Sequence, residues 1–224
     1  MKSNKHKIKL FEKILNIVFP KRCPCCEKVI ANCDILCSEC SKELKNIVYR
    51  KYAKGGYPCV SAVAYDGVFA KAILRFKFEG KKQYSHQLAT LIADAVKKEY
   101  PEENFDYITY VPLHKVRLNT RGYNQSELLA KSLSEILGIP AVETLRKTRN
   151  NEPQHTMNAK KRSENVKGAY RVIDKNLVEG KNILLLDDII TTGNTLGECA
   201  KTLDKYLPKS INCVTFAVSV IKTT

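Results

Sequence analysis

The residues with the most specific chemistry lie between positions 183 and 195, which read ILLLDDIITTGNT. The four apolar residues that begin this segment predict a strand buried on both faces, as in a parallel sheet covered by helices. Asp187 and Asp188 would then lie at the carboxyl end of that strand, where open α/β sheets bind their ligands. Apolar residues recur at helical spacing behind the polar turn, so a helix is predicted to begin near Thr195.

The turn between this strand and this helix has the composition of an anion site. Gly193 permits the backbone angles of a tight turn, and the amide groups of the turn and of the helix start would point at one spot. Such a cup binds a phosphate, and the two carboxylates just upstream can accept hydrogen bonds from a pair of vicinal hydroxyls. The layout therefore predicts a sugar phosphate with a cis-diol, and a ribose 5-phosphate fits.

Two other interpretations of the acidic pair compete with this one. The metal-binding strand of a nucleoside triphosphatase would require a G-x-x-x-x-G-K-[ST] segment, and the chain contains none. A solvated strand end followed by an ordinary helix cap would explain an isolated acidic pair, because Thr and Asn favour cap positions. The spacing of the pair relative to the Thr-Thr-Gly-Asn-Thr turn favours the sugar phosphate.

The segment resembles the phosphoribosyl pyrophosphate (PRPP) motif of type I phosphoribosyltransferases and matches that pattern at every position. The resemblance implies that Asp187 and Asp188 hold the ribose 2- and 3-hydroxyls and are the catalytic carboxylates. It also implies that Mg²⁺ accompanies PRPP. The residues that would bind the 5-phosphate are Thr191, Thr192, Gly193, Asn194 and Thr195.

Four cysteines near the beginning of the chain have the spacing C-x2-C-x10-C-x2-C, as Cys23, Cys26, Cys37 and Cys40. Paired C-x2-C turns let four thiolates converge tetrahedrally on one ion, so a structural Zn²⁺ is predicted. Either of the additional cysteines in this region, Cys25 and Cys33, could replace one of the four. Disulfides are the alternative, but they would need an oxidising compartment. Because no signal peptide and no membrane-spanning run is evident, we expect a cytoplasmic protein without membrane insertion.

The net charge of +15 is concentrated in two parts of the chain. Residues 1–60 hold 13 Lys and Arg against 5 Asp and Glu, and residues 111–182 hold 14 against 7. A polyanion is the partner that such a distribution predicts, and both pyrophosphate and single-stranded DNA satisfy it. A solvated basic surface without a partner is the alternative.

Two basic segments are expected to complete the ligand site. The first is predicted as a loop over residues 111–125, and it offers Lys115, Arg117 and Arg121. In type I phosphoribosyltransferases the loop at this position binds pyrophosphate, a task that suits Arg because it bonds phosphate in a bidentate way. The second, residues 145–167, contains Arg162 and few apolar residues, which is typical of a lid or a disordered segment. We expect a lid that excludes water from bound PRPP.

The elements that must position these residues alternate between strand and helix. The predicted strands are residues 60–65, 107–111, 169–173, 183–190 and 212–218, and the predicted helices include residues 68–78, 84–98 and 125–137. This alternation predicts an α/β fold with a mostly parallel sheet flanked by helices. We expect two domains, with an N-terminal helix and the cysteine module in residues 1–57 and a phosphoribosyltransferase-like domain in residues 58–224.

The order of motifs along the chain is similar to that of the bacterial ComF (ComFC) family. The shared segments are LNIVFPKRCPCC, LCSEC, RGYNQSELLA, QHTMNAKKRSENVKGAY and the PRPP motif. The resemblance implies a type I phosphoribosyltransferase fold with an N-terminal zinc finger, a role in uptake of single-stranded DNA during natural transformation, and partners in the competence machinery. It leaves open whether the chain is an active phosphoribosyltransferase, because no acceptor site can be identified in the sequence.

Overall fold

The computed structural model describes residues 20–149 and 166–220. The strands are β1 (Tyr49–Ala53), β2 (Tyr57–Ala64), β3 (Tyr107–Tyr110), β4 (Leu145–Lys147), β5 (Tyr170–Val172), β6 (Asn182–Ile190) and β7 (Ser210–Val218). The helices are α1 (Ser38–Lys42), α2 (Gly67–Phe78), α3 (Ser85–Glu99), α4 (Lys115–Arg121), α5 (Gln125–Leu137) and α6 (Asn194–Asp204). Short 3₁₀ turns occupy Lys82–Tyr84 and Lys175–Leu177.

Five strands form the main sheet in the order β1-β2-β7-β6-β3. The β1–β2 pair is antiparallel, whereas the β2–β7, β7–β6 and β6–β3 pairs are parallel. The carboxyl ends of β2, β3 and β6 therefore lie at the same edge of the sheet, and the segments that follow these strands meet there. The α/β class with a mostly parallel sheet, predicted from the sequence, is confirmed.

The apolar run of β6 is buried on both faces, because successive side chains of a strand point to opposite sides. Leu184 and Leu186 belong to a core shared with α2, α3 and α5. Ile183 and Leu185 belong to a second core, which α6 closes with Leu196 and other apolar side chains. Helices thus cover both faces of β6, and its polar carboxyl end is the part left facing a cavity.

The structure differs from the sequence prediction in the basic segment after β3. Residues 111–125 were predicted as a loop, but α4 occupies part of them. His114 caps this helix by accepting a hydrogen bond from the Val116 amide, and Gly122 ends it in the left-handed conformation with φ 74°. A helix of seven residues is too short to show a clear amphipathic pattern, so its cap residues were the only local indication of α4 in the sequence.

A second difference concerns the strand predicted over residues 169–173. It forms as β5, but its partner is β4 in a separate antiparallel pair outside the main sheet. The first residues of the polar segment predicted over 145–167 are therefore a strand, with Leu145 buried in the second core. Arg162, most of that predicted lid and the predicted N-terminal helix lie outside the described residues.

The turn between β1 and β2 packs very closely on the start of α6. A Cβ atom added at Gly197 would lie 2.2 Å from the carbonyl oxygen of Lys54, and one added at Gly193 would lie 2.8 Å from Cα of Ala53. The Lys54 amide donates a hydrogen bond to the carbonyl of Gly193 at 3.1 Å. Both glycines are required for this approach, which fixes the turn that follows β6. The predicted domain division after residue 57 stays a prediction.

Candidate functional site

A cavity of about 450 Å³ opens at the carboxyl edge of the sheet. It is lined by the end of β6, the turn that follows it, and the start of α6, together with residues that follow β2 and β3. Asp187, Asp188 and the whole predicted phosphate cup, Thr191–Thr195, line this one cavity. The structure therefore brings the predicted sugar-binding and phosphate-binding residues to one place.

The cup lies at the amino end of α6. Gly193 is the N-cap residue with φ 71°, and as a glycine it has no side chain with which to cap this helix. Asn194 donates from its side-chain amide group to the Thr192 hydroxyl at 2.9 Å. An eleven-residue helix has a positive partial charge at its amino end, so the cup can accept an anion.

The two carboxylates at the end of β6 have different surroundings. Asp188 is buried and forms an ion pair with Lys77 at 2.9 Å, with both side chains less than 15% exposed. Asp187 accepts a hydrogen bond from the Ser126 hydroxyl at 2.8 Å and one from the Asp188 amide at 2.9 Å. Burial and the neighbouring Asp188 charge raise the pKa of Asp187 to about 7, although Lys77 opposes the rise. The pair thus carries less negative charge than two free carboxylates would.

Several further cations line the same cavity. Of the three residues of the basic segment predicted to bind the ligand, Arg117 and Arg121 of α4 line the cavity, whereas Lys115 is exposed and outside the lining. Lys147 of β4 also lines it and lies 5.4 Å from the Tyr170 ring centroid. Burial and the charge of Arg117 lower the pKa of Lys147, and burial and the charge of Arg121 lower the pKa of Arg117. Repulsion among half-buried cations would be relieved by an anionic ligand.

The four predicted cysteines form a second cluster, remote in sequence from the cavity. The sulfur atoms of Cys23, Cys26, Cys37 and Cys40 all lie within 4.8 Å of one another, and three of these residues are buried. The Sγ atoms of Cys26 and Cys37 are 3.5 Å apart. Tetrahedral Zn²⁺ with Zn–S bonds of about 2.3 Å would separate its sulfur ligands by about 3.8 Å, so the cluster fits the ion.

The two additional cysteines of this region lie outside that cluster. Cys25 is buried, and Cys33 is exposed with its Sγ 3.7 Å from a carboxylate oxygen of Asp34. In the two described parts of the chain, the four-cysteine group is the one set of three or more Cys, His, Asp or Glu side chains with metal-site geometry.

Comparisons with known proteins agree with this geometry. Residues 124–222 match the family model described as "Phosphoribosyl transferase domain", and residues 14–64 match "Double zinc ribbon domain". Competence protein F of Haemophilus influenzae is 32% identical over 193 residues, which cover 76% of this chain and 84% of that protein. The chain belongs to the competence protein F (ComF) family.

Other relatives are more distant or overlap less with this ComF chain. Competence protein ComFC of Bacillus subtilis is 33% identical over 144 residues, covering 64% of this chain and 56% of that protein. A crystal structure of adenine phosphoribosyltransferase is 19% identical with a TM-score of 0.41, covering 81% of this chain and 89% of the other. The phosphoribosyl transferase domain match and the mostly parallel sheet confirm the predicted type I phosphoribosyltransferase fold of this ComF protein. The cysteine cluster confirms the predicted N-terminal four-cysteine module, and the double zinc ribbon match supports a structural Zn²⁺.

Two residues of the ComF cavity were not anticipated from the sequence. Lys77 of α2 and Ser126 of α5 reach the carboxylates only through the tertiary fold. Lys147 of β4, by contrast, belongs to the basic segment 145–167 that was expected to complete the ligand site. Lys77 lies within residues 61–110, where basic and acidic residues are equal in number, so the charge pattern did not indicate a ligand site there. Within residues 20–149 and 166–220, no helix has both the length and the apolar character needed to cross a membrane.

Proposed function

We propose that this ComF protein binds PRPP or a related ribose 5-phosphate ligand in the cavity at the end of β6, and that it takes part in DNA uptake during natural transformation. The observation that carries the ligand proposal is that one cavity combines the amino end of a helix, an acidic pair and several half-buried cations. The competence names of its relatives support the biological role.

The proposed assignment gives each part of the ligand a partner of matching chemistry. The 5-phosphate accepts hydrogen bonds from the amides and hydroxyls of Thr191–Thr195, and the ribose diol donates to Asp187 and Asp188. Arg117 and Arg121 take the charge of the pyrophosphate, and Mg²⁺ that accompanies PRPP would supply further positive charge there. Arg162 belongs to the proposed ligand-binding set through the family resemblance.

The Asp188→Asn variant tests the ribose assignment. An amide cannot supply the two anionic acceptors, and a charged hydrogen bond contributes about 1.5 to 3 kcal/mol, so PRPP affinity should fall about tenfold or more. Calorimetric titration with PRPP and Mg²⁺ measures the change. Asp94→Asn, which alters an exposed carboxylate on α3, is the matched control and should bind like the wild type. Unchanged affinity in folded Asp188→Asn would contradict the assignment.

An active phosphoribosyltransferase is the second candidate function, since the residues for the PRPP half of that reaction are all available. In such a reaction the bond between C1 of the ribose and pyrophosphate breaks, and a nucleobase or amine forms a new bond to C1. The basic side chains would stabilise the departing pyrophosphate, and the carboxylates would hold the ribose through an oxocarbenium-like state. Release of labelled pyrophosphate, measured across nucleobases and amines, distinguishes this function from ligand binding alone.

Single-stranded DNA binding is supported by a surface beside the cavity that combines charge with an exposed aromatic ring. Phe78 is 54% exposed at the end of α2, and the guanidinium carbon of Arg121 lies 5.1 Å from its ring centroid. Residues 71–82 and 115–121 together hold eight Lys and Arg and one acidic residue, Glu79. Proteins that bind single strands without sequence preference pair basic grooves with aromatic rings on which bases stack.

The Phe78→Ala variant tests this surface. Loss of a stacking ring costs about 1 to 3 kcal/mol per base, so affinity for a thymidine oligonucleotide should fall about tenfold in fluorescence anisotropy. Affinity for an abasic strand of the same length should change little, because only its phosphates bind. Tyr206→Ala removes another partly exposed ring, 38% exposed beyond α6, and should leave both affinities unchanged. Absence of wild-type binding at about 50 mM salt would exclude the DNA proposal, since phosphate contacts strengthen at low salt.

We also propose that Cys23, Cys26, Cys37 and Cys40 bind a structural Zn²⁺, and that the protein is cytoplasmic. A reducing compartment keeps the four thiols available for the metal. The proposed cellular partners are proteins of the competence machinery. Cell fractionation tests the location, and recovery in a membrane or periplasmic fraction would contradict it.

A further inference from the structure

The last turn of α2 contacts both the cysteine module and the acidic pair. Arg75 donates hydrogen bonds to the carbonyls of Cys25 at 2.5 Å and Pro24 at 3.4 Å, both within the first cysteine turn. Two residues later, Lys77 pairs with Asp188 at 2.9 Å. Residues two apart on a helix point in different directions, so this turn joins the two sites from different sides.

Glu27 of the cysteine module makes several side-chain contacts at this junction. Its carboxylate lies 3.5 Å from the Arg75 guanidinium and 3.0 Å from the Lys81 ammonium, and it accepts a hydrogen bond from the Tyr84 hydroxyl at 3.3 Å. Arg75 precedes Lys77 in the chain, whereas Lys81 and Tyr84 follow it. One side chain of the module therefore holds the segment on both sides of Lys77.

The position of Glu27 is itself determined by the cysteine turn. The Glu27 amide donates to the carbonyl of Cys23 at 2.8 Å, and the residue has φ 62°, a left-handed conformation that few non-glycine residues adopt. Zn²⁺ held by Cys23 and Cys26 would tie together the two ends of this turn. The metal would thus help to fix the carboxylate that holds the end of α2.

We infer that Glu27 is a positioning residue for Lys77, through which the cysteine module sets the ligand affinity of the cavity. The inference rests on the proposed binding of PRPP. Lys77 reduces the negative charge of the acidic pair, and a pair of unneutralised carboxylates would repel an anionic ligand. Lys has a long flexible side chain, so fixing the backbone that carries it keeps the ammonium at Asp188.

Glu27→Gln tests the inference by removing the charge that holds Arg75 and Lys81. PRPP affinity, measured by calorimetry with Mg²⁺, should fall about three- to tenfold while the zinc content stays at the wild-type value. Glu39→Gln makes the same chemical change in the same module, but its pair with Lys28 is more than half exposed on both sides. This control should bind PRPP like the wild type. An unchanged affinity of Glu27→Gln would overturn the inference.

A double-mutant cycle with Lys77→Gln separates positioning from a general structural effect. If Glu27 acts through Lys77, the double variant should bind PRPP no more weakly than Lys77→Gln alone. Equal losses for Glu27→Gln in the two backgrounds would overturn the inference. If Glu27→Gln does not retain zinc, Lys81→Gln takes its place in the cycle, because it removes the other charge of the Glu27–Lys81 pair. The expected result is the same.

Amide hydrogen exchange without ligand distinguishes failure of this inference from failure of the proposed function. Residues 76–80 should exchange faster in Glu27→Gln than in Glu39→Gln, because the end of α2 has lost its contact with the module. If the wild-type protein does not bind PRPP, the proposed function is contradicted, but hydrogen exchange still tests whether Glu27 holds the end of α2. Equal exchange of residues 76–80 in the two variants would overturn the inference.

Discussion

The cysteine module and the cavity are both clusters of polar groups, but they attract ions of opposite charge. In the module, four sulfur atoms converge within 4.8 Å, so a cation is required when they are thiolates. In the cavity, Lys77 already pairs with one of two carboxylates, and Arg117, Arg121 and Lys147 add further positive charge. This charge is complementary to an anion. The sign of the charge at each site therefore indicates the class of ligand that the site suits.

The two sites also differ in what holds them in shape. The cavity is formed by the ends of paired strands and by helices packed on two large cores. The cysteine module has one described helix of five residues and one isolated pair of bridged residues, Arg22 and Val29, and four of the five buried residues that it adds to the first core are cysteines. A segment of this kind depends on its metal for folding energy, whereas the cavity should persist without its ligand.

Removal of a zinc ligand should have the largest effect and would test this difference directly. Structural Zn²⁺ contributes on the order of 10 kcal/mol to folding in comparable peptides, so Cys37→Ser should abolish zinc binding and unfold residues 20–45. Elemental analysis should find about one zinc per wild-type chain. Cys33→Ser changes an exposed cysteine outside the cluster and should retain the metal. The reverse order of sensitivity would contradict the choice of ligands.

Gly197→Ala should have the next largest effect, because it forces apart the turn after β1 and the start of α6. A helical Gly to Ala change normally stabilises by up to about 1 kcal/mol. Here the new Cβ atom would lie 2.2 Å from a backbone oxygen of Lys54, and overpacking of this kind costs about 1 to 3 kcal/mol. Urea unfolding should show a loss of stability. Lys201→Ala, an exposed change in the same helix, should be nearly neutral, and stabilisation by Gly197→Ala would contradict the close approach.

Asp187→Asn should change stability in a pH-dependent way. The pKa of Asp187 is raised to about 7, so the folded state keeps a proton that the unfolded state loses near pH 4. The stability that this group contributes is full below pH 4 and is lost as the pH rises through about 7. Thermal unfolding at pH 8 should show the variant more stable than the wild type by on the order of 1 kcal/mol, with a smaller gain at pH 5. Equal differences at both pH values would contradict the raised pKa.

The smallest effect is expected for the exposed ion pair of the cysteine module. Lys28 and Glu39 lie 2.6 Å apart, but both side chains are more than half exposed. Exposed pairs contribute about 0 to 1 kcal/mol, so Glu39→Gln should leave the thermal stability and the zinc content almost unchanged. A loss of thermal stability or of zinc well beyond this range would show that the module depends on this exposed pair.

Local patterns predicted the parts of the two sites that are continuous in sequence. The buried strand, the acidic pair, the phosphate cup and the following helix are all consecutive, and the cysteine pairs have a fixed spacing. Lys77 and Ser126 could not be predicted in this way, because only the packing of α2 and α5 brings them to the carboxylates. Strand β1 was also missed, since its alternation of half-buried and exposed residues is short.

The pairing of β1 with β2 has a practical consequence for dividing the chain experimentally. A fragment that begins at residue 58 would keep most of β2 and lose its antiparallel partner. The backbone groups of β2 that pair across Tyr49↔Ser61 and Lys51↔Cys59 would then form an open sheet edge, which is a template for aggregation. A fragment that begins before Tyr49 keeps that edge covered. A fragment intended to fold as a stable phosphoribosyltransferase-like domain should therefore include β1, the strand that follows the cysteine module.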